Sequence, residues 1–481
     1  MKRRQFNRYV GQCVAAAAVS PLLSQCDRNP FSTPSDRPFQ PPPRLSRQNG
    51  LIEASLIAQS QHQRLSYSGS TPGPLLEARP GDTVRLTLRN QLEASTNLHF
   101  HGLHISPDID NVFRDVPSGE AHTYEFQIPN NHPALTGWYH PHYHGLVAQQ
   151  VFGGLAGPII IRGDLDELPE IQQAEEAILV LQDVDPSLVA APETLSPLGK
   201  KWGREGEALL ASGQTNPIID VPQNGLLRLR LINASASRIY QLQLPNHPWH
   251  LIATDRGAIA EPVELDALTL SPGERAELLV PGQREPGDYP ILSLPYDRGL
   301  SEMIASMGEA VEQMPGVTQP QIQPLATLRY APRQRSTPLA LPKQLIPVAA
   351  LPTPVQTREF VLNHGSGASA NAAGFIINNR GFAMARVDTQ VKLNTVEDWR
   401  IVNKASMDHP FHLHTNRFQV LMRNGQPEAI PAWKDTVSVK GYETVTLRVK
   451  FEDFTGRTVY HCHILDHEDQ GMMGIVDIVG S

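Results

Sequence analysis

The feature that most restricts the fold of this chain is a short recurring unit, in which a turn precedes strictly alternating apolar and polar residues. Residues 83–89 (Thr-Val-Arg-Leu-Thr-Leu-Arg) follow a Pro-Gly-Asp turn, and comparable units occupy 226–232 and 444–449. Because successive side chains of a β-strand point to opposite faces, this alternation predicts half-buried strands. The 42 prolines and 35 glycines also fit a turn-rich β protein better than a helix bundle.

A longer repeat indicates that three related domains follow one another. The sequence at 409–414 (His-Pro-Phe-His-Leu-His) is repeated in similar form at 247–252 (His-Pro-Trp-His-Leu-Ile), where isoleucine replaces the last histidine. The segment at 98–102 is a less similar copy. The length of 481 residues is enough for three domains of ordinary size. We therefore predict an all-β fold of three consecutive β-sandwich domains at 49–165, 174–335 and 355–481, the middle one without metal chemistry. Short helices are predicted only at 164–176 and 301–314.

The N-terminus has the composition of an export signal. Residues 1–9 carry four positive charges and no acid, and an apolar stretch follows from Val10 to about Leu23. We predict a signal peptide at 1–28 and a Pro-rich tether at 29–48. The Arg-Arg pair at 3–4 resembles a twin-arginine signal, which predicts a periplasmic protein. An ordinary secretory signal and lipid anchoring at Cys26 are the less favoured alternatives.

Charge and cysteine content narrow the class of protein further. Lys and Arg number 41 against 49 Asp and Glu, a net charge of -8, which disfavours nucleic-acid binding. No apolar run outside the leader is long enough to span a membrane. Cys13 and Cys26 lie in the leader, so the mature chain would hold Cys462 alone and no intramolecular disulfide.

Four histidine pairs of the form His-x-His predict a metal cluster. Residues i and i+2 of a strand share a face, so each pair offers two imidazoles on one side. Two pairs fall in the first predicted domain and two in the third, which places a cluster of all eight imidazoles at the junction of these domains. The pairs are His99 with His101, His140 with His142, His412 with His414, and His461 with His463. His144 offers an alternative partner for His142.

A second site is predicted around Cys462, which lies between His461 and His463. In an extended segment its sulfur would point away from the two histidines, so one strand could serve two sites. His409, His467 and Met472 are the further candidate ligands, with Met473 as the rival thioether. A cysteine, two histidines and a weak thioether are the ligands of a blue copper centre, whereas structural zinc sites use no axial methionine.

These motifs resemble those of the three-domain multicopper oxidases, in particular the laccase-like group of exported bacterial enzymes. The resemblance rests on the segments at 98–102, 138–142, 409–414 and 461–473, and it extends into the middle domain through 231–235 and 252–255. It therefore covers nearly the whole mature chain. It implies that each β-sandwich is a cupredoxin-like Greek-key domain.

The resemblance also implies the ligands of four coppers. Type 1 copper would be held by His409, Cys462, His467 and Met472, and type 2 copper by His99 and His412. The type 3 pair would be held by His101, His140, His142, His414, His461 and His463. Asp110 and Glu468 match acidic positions that the family uses as proton donors or to orient bound water. Every ligand position is filled, which argues against the redox-inactive relatives.

The implied activity is one-electron oxidation of a small reducing substrate coupled to reduction of O2 to water. Phenols and similar aromatic donors are the favoured substrates. Some relatives that oxidise Cu(I) carry a methionine-rich insertion, whereas this chain has only nine methionines. Met303 and Met307 fit a core contact better than a copper site. Oxidation of Cu(I) or another metal ion is the alternative, followed by a non-catalytic copper-binding structural protein. Both halves of the cluster lie in one chain, so a monomer would suffice.

Overall fold

The computed structural model describes residues 37–61, 64–282, 285–299, 316–318, 321–334, 337–365 and 374–480. The predictions for the signal peptide, Cys26, Met303, Met307 and the helix at 301–314 lie outside these residues. Within the described ranges, no helix is both long and apolar enough to cross a membrane.

The first third of the described chain folds into two facing sheets. Their strands run in the orders β1-β2-β5-β7, with β3 beside β2, and β4-β9-β8-β6. A core cluster that includes Leu86, Phe100 and Ile159 lies between them. The elements are β1 Arg47–Gln48, β2 Leu51–Gln61, β3 Arg64–Tyr67, β4 Leu76–Ala78, β5 Thr83–Asn90, β6 His99–His101, β7 Ala121–Gln127, β8 Leu135–His140, helix α1 Val147–Gly153 and β9 Gly157–Ile161.

The middle third forms a second sandwich with the orders β11-β10-β13-β18-β15-β16 and β12-β20-β19-β14-β17. Short helical turns precede it and interrupt it. The elements are a 3-10 turn Asp164–Glu167, α2 Pro169–Gln172, β10 Glu175–Val184, α3 Pro186–Ala190, a 3-10 turn Pro192–Thr194, α4 Pro197–Trp202, β11 Ala208–Ala211, β12 Ile218–Gln223, β13 Gly225–Asn233, β14 Tyr240–Gln243, β15 Trp249–Thr254, β16 Gly257–Leu265, β17 Leu268–Leu270, β18 Arg275–Gly282, β19 Gly287–Leu294 and β20 Gln323–Gln334.

The last third forms a third sandwich, ordered β22-β21-β24-β30-β26-β27, with β28 beside β26, and β23-β32-β31-β25-β29. The elements are β21 Gln356–His364, β22 Phe375–Ile377, β23 Thr389–Lys392, β24 Thr395–Asn403, β25 His409–Leu413, β26 Phe418–Arg423, β27 Gln426–Pro427, β28 Trp433–Lys434, β29 Thr436–Val439, β30 Thr444–Phe451, β31 Gly456–Cys462, helix α5 Leu465–Asp469 and β32 Met473–Val479.

The prediction of an all-β chain of three consecutive β-sandwiches is confirmed. Each sandwich mixes antiparallel ladders with two parallel pairs, one in each sheet, as in β21 with β24 and β23 with β32. The short helical turns at 164–172 also fall within the segment predicted to hold one.

The burial of the three predicted strands differs. In β5 and β30, buried apolar residues alternate with more exposed polar ones, as the sequence pattern predicts. In β13 every residue is buried, including Arg228 and Arg230. Half-burial is therefore wrong for β13. Both arginines form ion pairs with the buried Glu277 at 2.6 Å, so the polar face of this strand is covered by protein.

Candidate metal centre

Two pairs of neighbouring strands bring the eight predicted histidines together. In the first sandwich, β6 and β8 are antiparallel and place His99 opposite His140. In the third sandwich, β25 and β31 are antiparallel and place His412 opposite His461. The other member of each pair lies two residues away on the same face. All eight imidazoles are buried, with at most 1 % of any residue exposed.

The eight imidazoles are divided into one pair and two triplets, and each group joins the first sandwich to the third. Nε2 of His99 is 3.3 Å from Nε2 of His412. The first triplet has Nε2–Nε2 distances of 3.1 Å from His101 to both His140 and His463. The second triplet has distances of 3.2 Å and 3.1 Å from His461 to His142 and His414.

The ring nitrogens of this cluster are arranged to bind a cation. Four rings direct Nδ1 at an acceptor: His99 at Asp110, His140 at the Pro141 carbonyl, His412 at the Asp435 carbonyl and His461 at the Cys462 carbonyl. An Nδ1 that donates leaves Nε2 with a lone pair, so lone pairs face one another across the cluster. Burial lowers the pKa of all eight imidazoles, that of His461 to about 4. Neutral rings in this arrangement could hold a metal ion.

Cys462 lies on the other side of its strand, in a second cluster. Its Sγ is 3.4 Å from Nδ1 of His409 and 3.7 Å from Nδ1 of His467, and the two Nδ1 atoms are 3.2 Å apart. Nε2 of His467 donates to the Lys201 carbonyl, which leaves its Nδ1 lone pair facing the sulfur. Burial raises the pKa of the Cys462 thiol, so a thiolate here requires a cation beside it.

Met472 and Met473 occupy different surroundings. Met472 is fully buried in the same core cluster as Cys462, and its backbone bonds to both Cys462 and His467. Met473 is paired with His461 in the strand ladder and packs in a separate apolar cluster with Val459. The alternation along the chain thus places Met472 on the side of the sulfur.

Helix α5 positions His467, and two carboxylates hold it in place. Asp466 accepts hydrogen bonds from the Arg204 guanidinium, with the shortest N–O distance at 2.7 Å. Asp469 accepts from backbone N–H groups at the start of α1, those of Gly145, Val147 and Ala148. The sequence does not predict this helix, because five residues are too few to show a helical period. His144, the alternative partner of His142, lies beside the Phe382 ring instead.

The two predicted acidic residues have different environments. Both carboxylate oxygens of Asp110 are 2.9 Å from Nδ1 of His99, and one accepts from the Phe100 N–H. Glu468 has no exposed surface and lies 3.2 Å from Nδ1 of His461 and 3.5 Å from Nδ1 of His142. Neither oxygen of Glu468 has a hydrogen-bond partner in the described part of the chain. Burial raises the pKa of both carboxyl groups.

Three neighbours of the clusters are not predicted by the sequence. The carboxylate of Asp435 is 3.7 Å from Nδ1 of His412 and accepts two hydrogen bonds, of 2.6 and 2.7 Å, from Arg275 of β18. Phe375 stacks on His467 with ring centroids 3.7 Å apart. These contacts join distant segments, and no spacing pattern signals them.

The middle sandwich also packs directly on the histidine cluster. Gly273 has φ +84°, and a Cβ there would lie 2.7 Å from the His463 ring. Only glycine fits this position without displacing a cluster histidine. The middle sandwich therefore supports the cluster through Gly273 and Arg275, although none of the grouped donor atoms of the described residues comes from it.

Comparison with known proteins identifies the family. Three sequence models, each described as multicopper oxidase, match residues 51–166, 134–307 and 352–479. The multicopper oxidase mco of Staphylococcus haemolyticus is 29 % identical over 423 residues, covering 86 % of this chain and 83 % of the relative. The cell division protein FtsP of Gallibacterium anatis is 31 % identical over 424 residues, 85 % of each chain.

A solved structure agrees with these matches. It is entitled a multicopper oxidase from Campylobacter jejuni, a metallo-oxidase, and it is 30 % identical to this chain. It covers 94 % of this chain and 97 % of its own, with a TM-score of 0.80. With its cupredoxin-like sandwiches and its clustered histidine and cysteine donors, the chain belongs to the multicopper oxidase family of copper-binding oxidoreductases.

Proposed function

We propose that this protein is an exported oxidase that takes single electrons from phenols or similar aromatic donors and delivers them to O2, forming water. One observation carries the proposal: the tripeptide at 461–463 contributes one residue to each of three separate donor groups. Cys462 belongs to the group with His409 and His467, while His461 and His463 belong to separate histidine triplets. Electrons accepted at the sulfur therefore have a continuous covalent route, through the adjacent peptide units, to both triplets.

The residues fit four coppers in three kinds of site. Type 1 copper would be held by His409, Cys462 and His467, with Met472 as a weak further ligand, and type 2 copper by His99 and His412. The type 3 pair is assigned to the two triplets, His101, His140 and His463 on one side and His142, His414 and His461 on the other. When bound, copper supplies the one-electron redox steps between Cu(I) and Cu(II).

The chain's own groups orient the ligands and supply protons. Asp110 accepts from His99 and thereby fixes the tautomer that leaves Nε2 free for metal. Glu468 makes no bond that holds the structure together, and its carboxyl lies between rings of the second triplet. We therefore assign Glu468 as a proton donor for water formation and Asp110 mainly as the residue that orients His99.

The test is a visible spectrum of the copper-loaded protein, with copper counted per chain and oxygen uptake followed on a phenolic donor. We expect about four coppers, a strong thiolate-to-copper band at about 600 nm and oxygen uptake. Cys462→Ser should remove the band and the uptake, because a hydroxyl does not replace the soft thiolate. Met473→Leu is the matched control, since Met473 faces a separate cluster, and it should keep both. A colourless wild-type protein would contradict the proposal.

A metal ion is the second candidate substrate, favoured because the Campylobacter jejuni relative is described as a metallo-oxidase. Oxygen uptake on Cu(I) measured beside the phenolic donor separates the two, and a higher kcat/KM for Cu(I) would favour this candidate. A role in cell division is the candidate of a different class, since the Gallibacterium anatis relative bears that name. If cells lacking this protein had a division defect, and if the Cys462→Ser protein still rescued that defect, the role in cell division would be favoured.

The proposed export rests on the basic and apolar leader at 1–28. Replacing Arg3 and Arg4 by lysine tests the twin-arginine route, because this route reads the arginine pair itself. The variant should accumulate in the cytoplasm, while the wild type reaches the periplasm. Unchanged export of the variant would favour the ordinary secretory signal.

A further inference from the structure

A polar cavity of about 50 Å³ lies outside both copper-ligand clusters, where segments of all three sandwiches meet. His104 and His132 come from the first sandwich, Arg256 from the middle one, and Asn416 and Arg417 from the third. Since one water occupies roughly 10–15 Å³ on this measure, the space suits about four waters or one small oxyanion.

Two arginines that no carboxylate contacts bring positive charge to this cavity. Arg256 is 4 % exposed, and its guanidinium donates only to the backbone carbonyls of Leu103 and Thr415, at 3.0 and 3.1 Å. Arg417 is half-buried with its guanidinium 4.0 Å from the centre of the Trp433 ring. Among the described residues, no carboxylate lies within 4.0 Å of either guanidinium. A buried charge is ordinarily paired.

The carboxylates that line the cavity already have partners. Glu452 pairs with Lys450 at 2.5 Å, and Asp453 accepts from Nε2 of His104 at 2.8 Å. His132 is neutral: its Nδ1 donates to the Pro133 carbonyl and burial lowers its pKa to about 3. Neither guanidinium is therefore paired directly, although Asp435 and Glu452 act on the charges of Arg256 and Arg417 from a greater distance.

Asn416 gives an independent sign of a missing ligand. It is 1 % exposed and lines the cavity, yet neither its Oδ1 nor its Nδ2 has a hydrogen-bond partner in the part of the chain that the structure describes. Buried amides almost always have partners, because an unpaired one retains its full desolvation cost. Water would satisfy the amide but, unlike an oxyanion, would bring no negative charge into contact with the arginines.

We propose that this cavity binds a small tetrahedral oxyanion, phosphate or sulfate, through Arg256, Arg417 and the Asn416 amide N–H. Guanidinium groups are the side chains best suited to oxyanions, because they offer paired N–H donors with a positive charge. The donors belong to the middle and third sandwiches, and Arg256 also holds the Leu103 carbonyl of the first. A bound oxyanion would therefore stabilise the junction of all three sandwiches.

The test is calorimetric titration of inorganic phosphate, and separately sulfate, into the copper-loaded protein, with thermal unfolding followed in parallel. Wild type should bind one oxyanion per chain and unfold at a higher temperature in its presence. Arg417→Gln should weaken binding about tenfold or more, the effect of losing one charge-assisted hydrogen bond. Asn416→Leu should weaken binding too while keeping the fold, since it removes an unpartnered amide from a buried position.

Arg400→Gln is the control, because it removes the same charge from an exposed strand position of the same sandwich. It should bind phosphate as wild type does. If wild type bound no oxyanion, the proposal would be overturned. It would also be overturned if Arg417→Gln and Asn416→Leu both bound with wild-type affinity, because the oxyanion would then bind at the copper instead. Equal weakening by Arg417→Gln and Arg400→Gln would show a general charge effect and overturn it as well.

Discussion

At the scale of single residues, the two carboxyl groups beside the histidine cluster differ in what they hold. Asp110 is hydrogen-bonded to His99 and to the Phe100 N–H, so it fixes the position of the His99 ring. Glu468 is also buried, but neither oxygen of its carboxyl group has a hydrogen-bond partner among the described residues. A buried acid without a structural partner is a candidate for chemistry, because packing alone would favour an apolar side chain at that position.

Glu468→Gln should therefore separate proton supply from metal binding. Gln has nearly the same shape but no acidic proton to transfer, so we expect oxygen uptake to fall about 100-fold, a usual size for the loss of a general acid. Copper content and the blue band should stay as in wild type. Oxygen uptake and copper analysis on the purified variant measure both quantities.

Asp110→Asn provides the contrast. Because Asp110 orients His99, this variant should lose copper as well as activity, with metal affinity reduced roughly 10–100-fold. Equal copper loss in both variants would contradict the separate roles of the two carboxyl groups.

The sequence predicts the residues whose atoms could bind metal much better than it predicts the residues that surround them. Period-two spacing predicts that His461 and Cys462 face opposite sides, because the geometry of one strand decides it, and the structure has this arrangement. It does not predict Asp435 or Arg275, which meet across two sandwiches. Such contacts depend on domain packing, which no local pattern encodes.

At the scale of elements, β13 shows where sequence alternation misleads. Alternation predicts one solvated face, but β13 lies between β10 and β18 and its polar face is covered by the first sandwich. There Arg230 bonds to Thr136 of β8 and pairs with Glu277 of β18. The strand is predicted correctly and its exposure is not, because exposure is decided by the neighbouring sandwich.

Strand β18 supports the histidine cluster in the same way, through Arg275. Arg275 and Asp435 are both buried, so Arg275→Met would leave the carboxylate without its cation beside two cluster histidines. Breaking a buried ion pair from one side costs about 3–5 kcal/mol in unfolding free energy. Arg400→Met breaks an exposed pair with Glu359 and should cost less than about 1 kcal/mol. Denaturant unfolding of both variants measures the difference, and similar losses would refute the supporting role of Arg275.

At the scale of the whole molecule, the junction of the three sandwiches is held by buried polar groups as well as by the proposed coppers. His132 and Arg256 lie there, and the backbone N–H of His104 donates to Nε2 of His132. A neutral imidazole is required for this bond, because Nε2 must accept. The junction should therefore be sensitive to acid.

Burial lowers the pKa of His132 from 6.5 to about 3, with the charge of Arg256 acting in the same direction. Between these two values the unfolded chain binds a proton that the folded chain does not, so stability is complete above pH 6.5 and falls as the pH falls. From pH 7 to pH 5 the titration of this residue should lower the free energy of unfolding by about 2 kcal/mol, at 1.36 kcal/mol per pKa unit.

The His132→Gln variant tests this, because its side chain can still accept from the His104 N–H and does not titrate. Its unfolding free energy, measured by denaturant titration across this pH range, should fall less steeply with falling pH than that of wild type. If the two proteins had the same slope of unfolding free energy against pH, His132 would not be the acid-sensitive group.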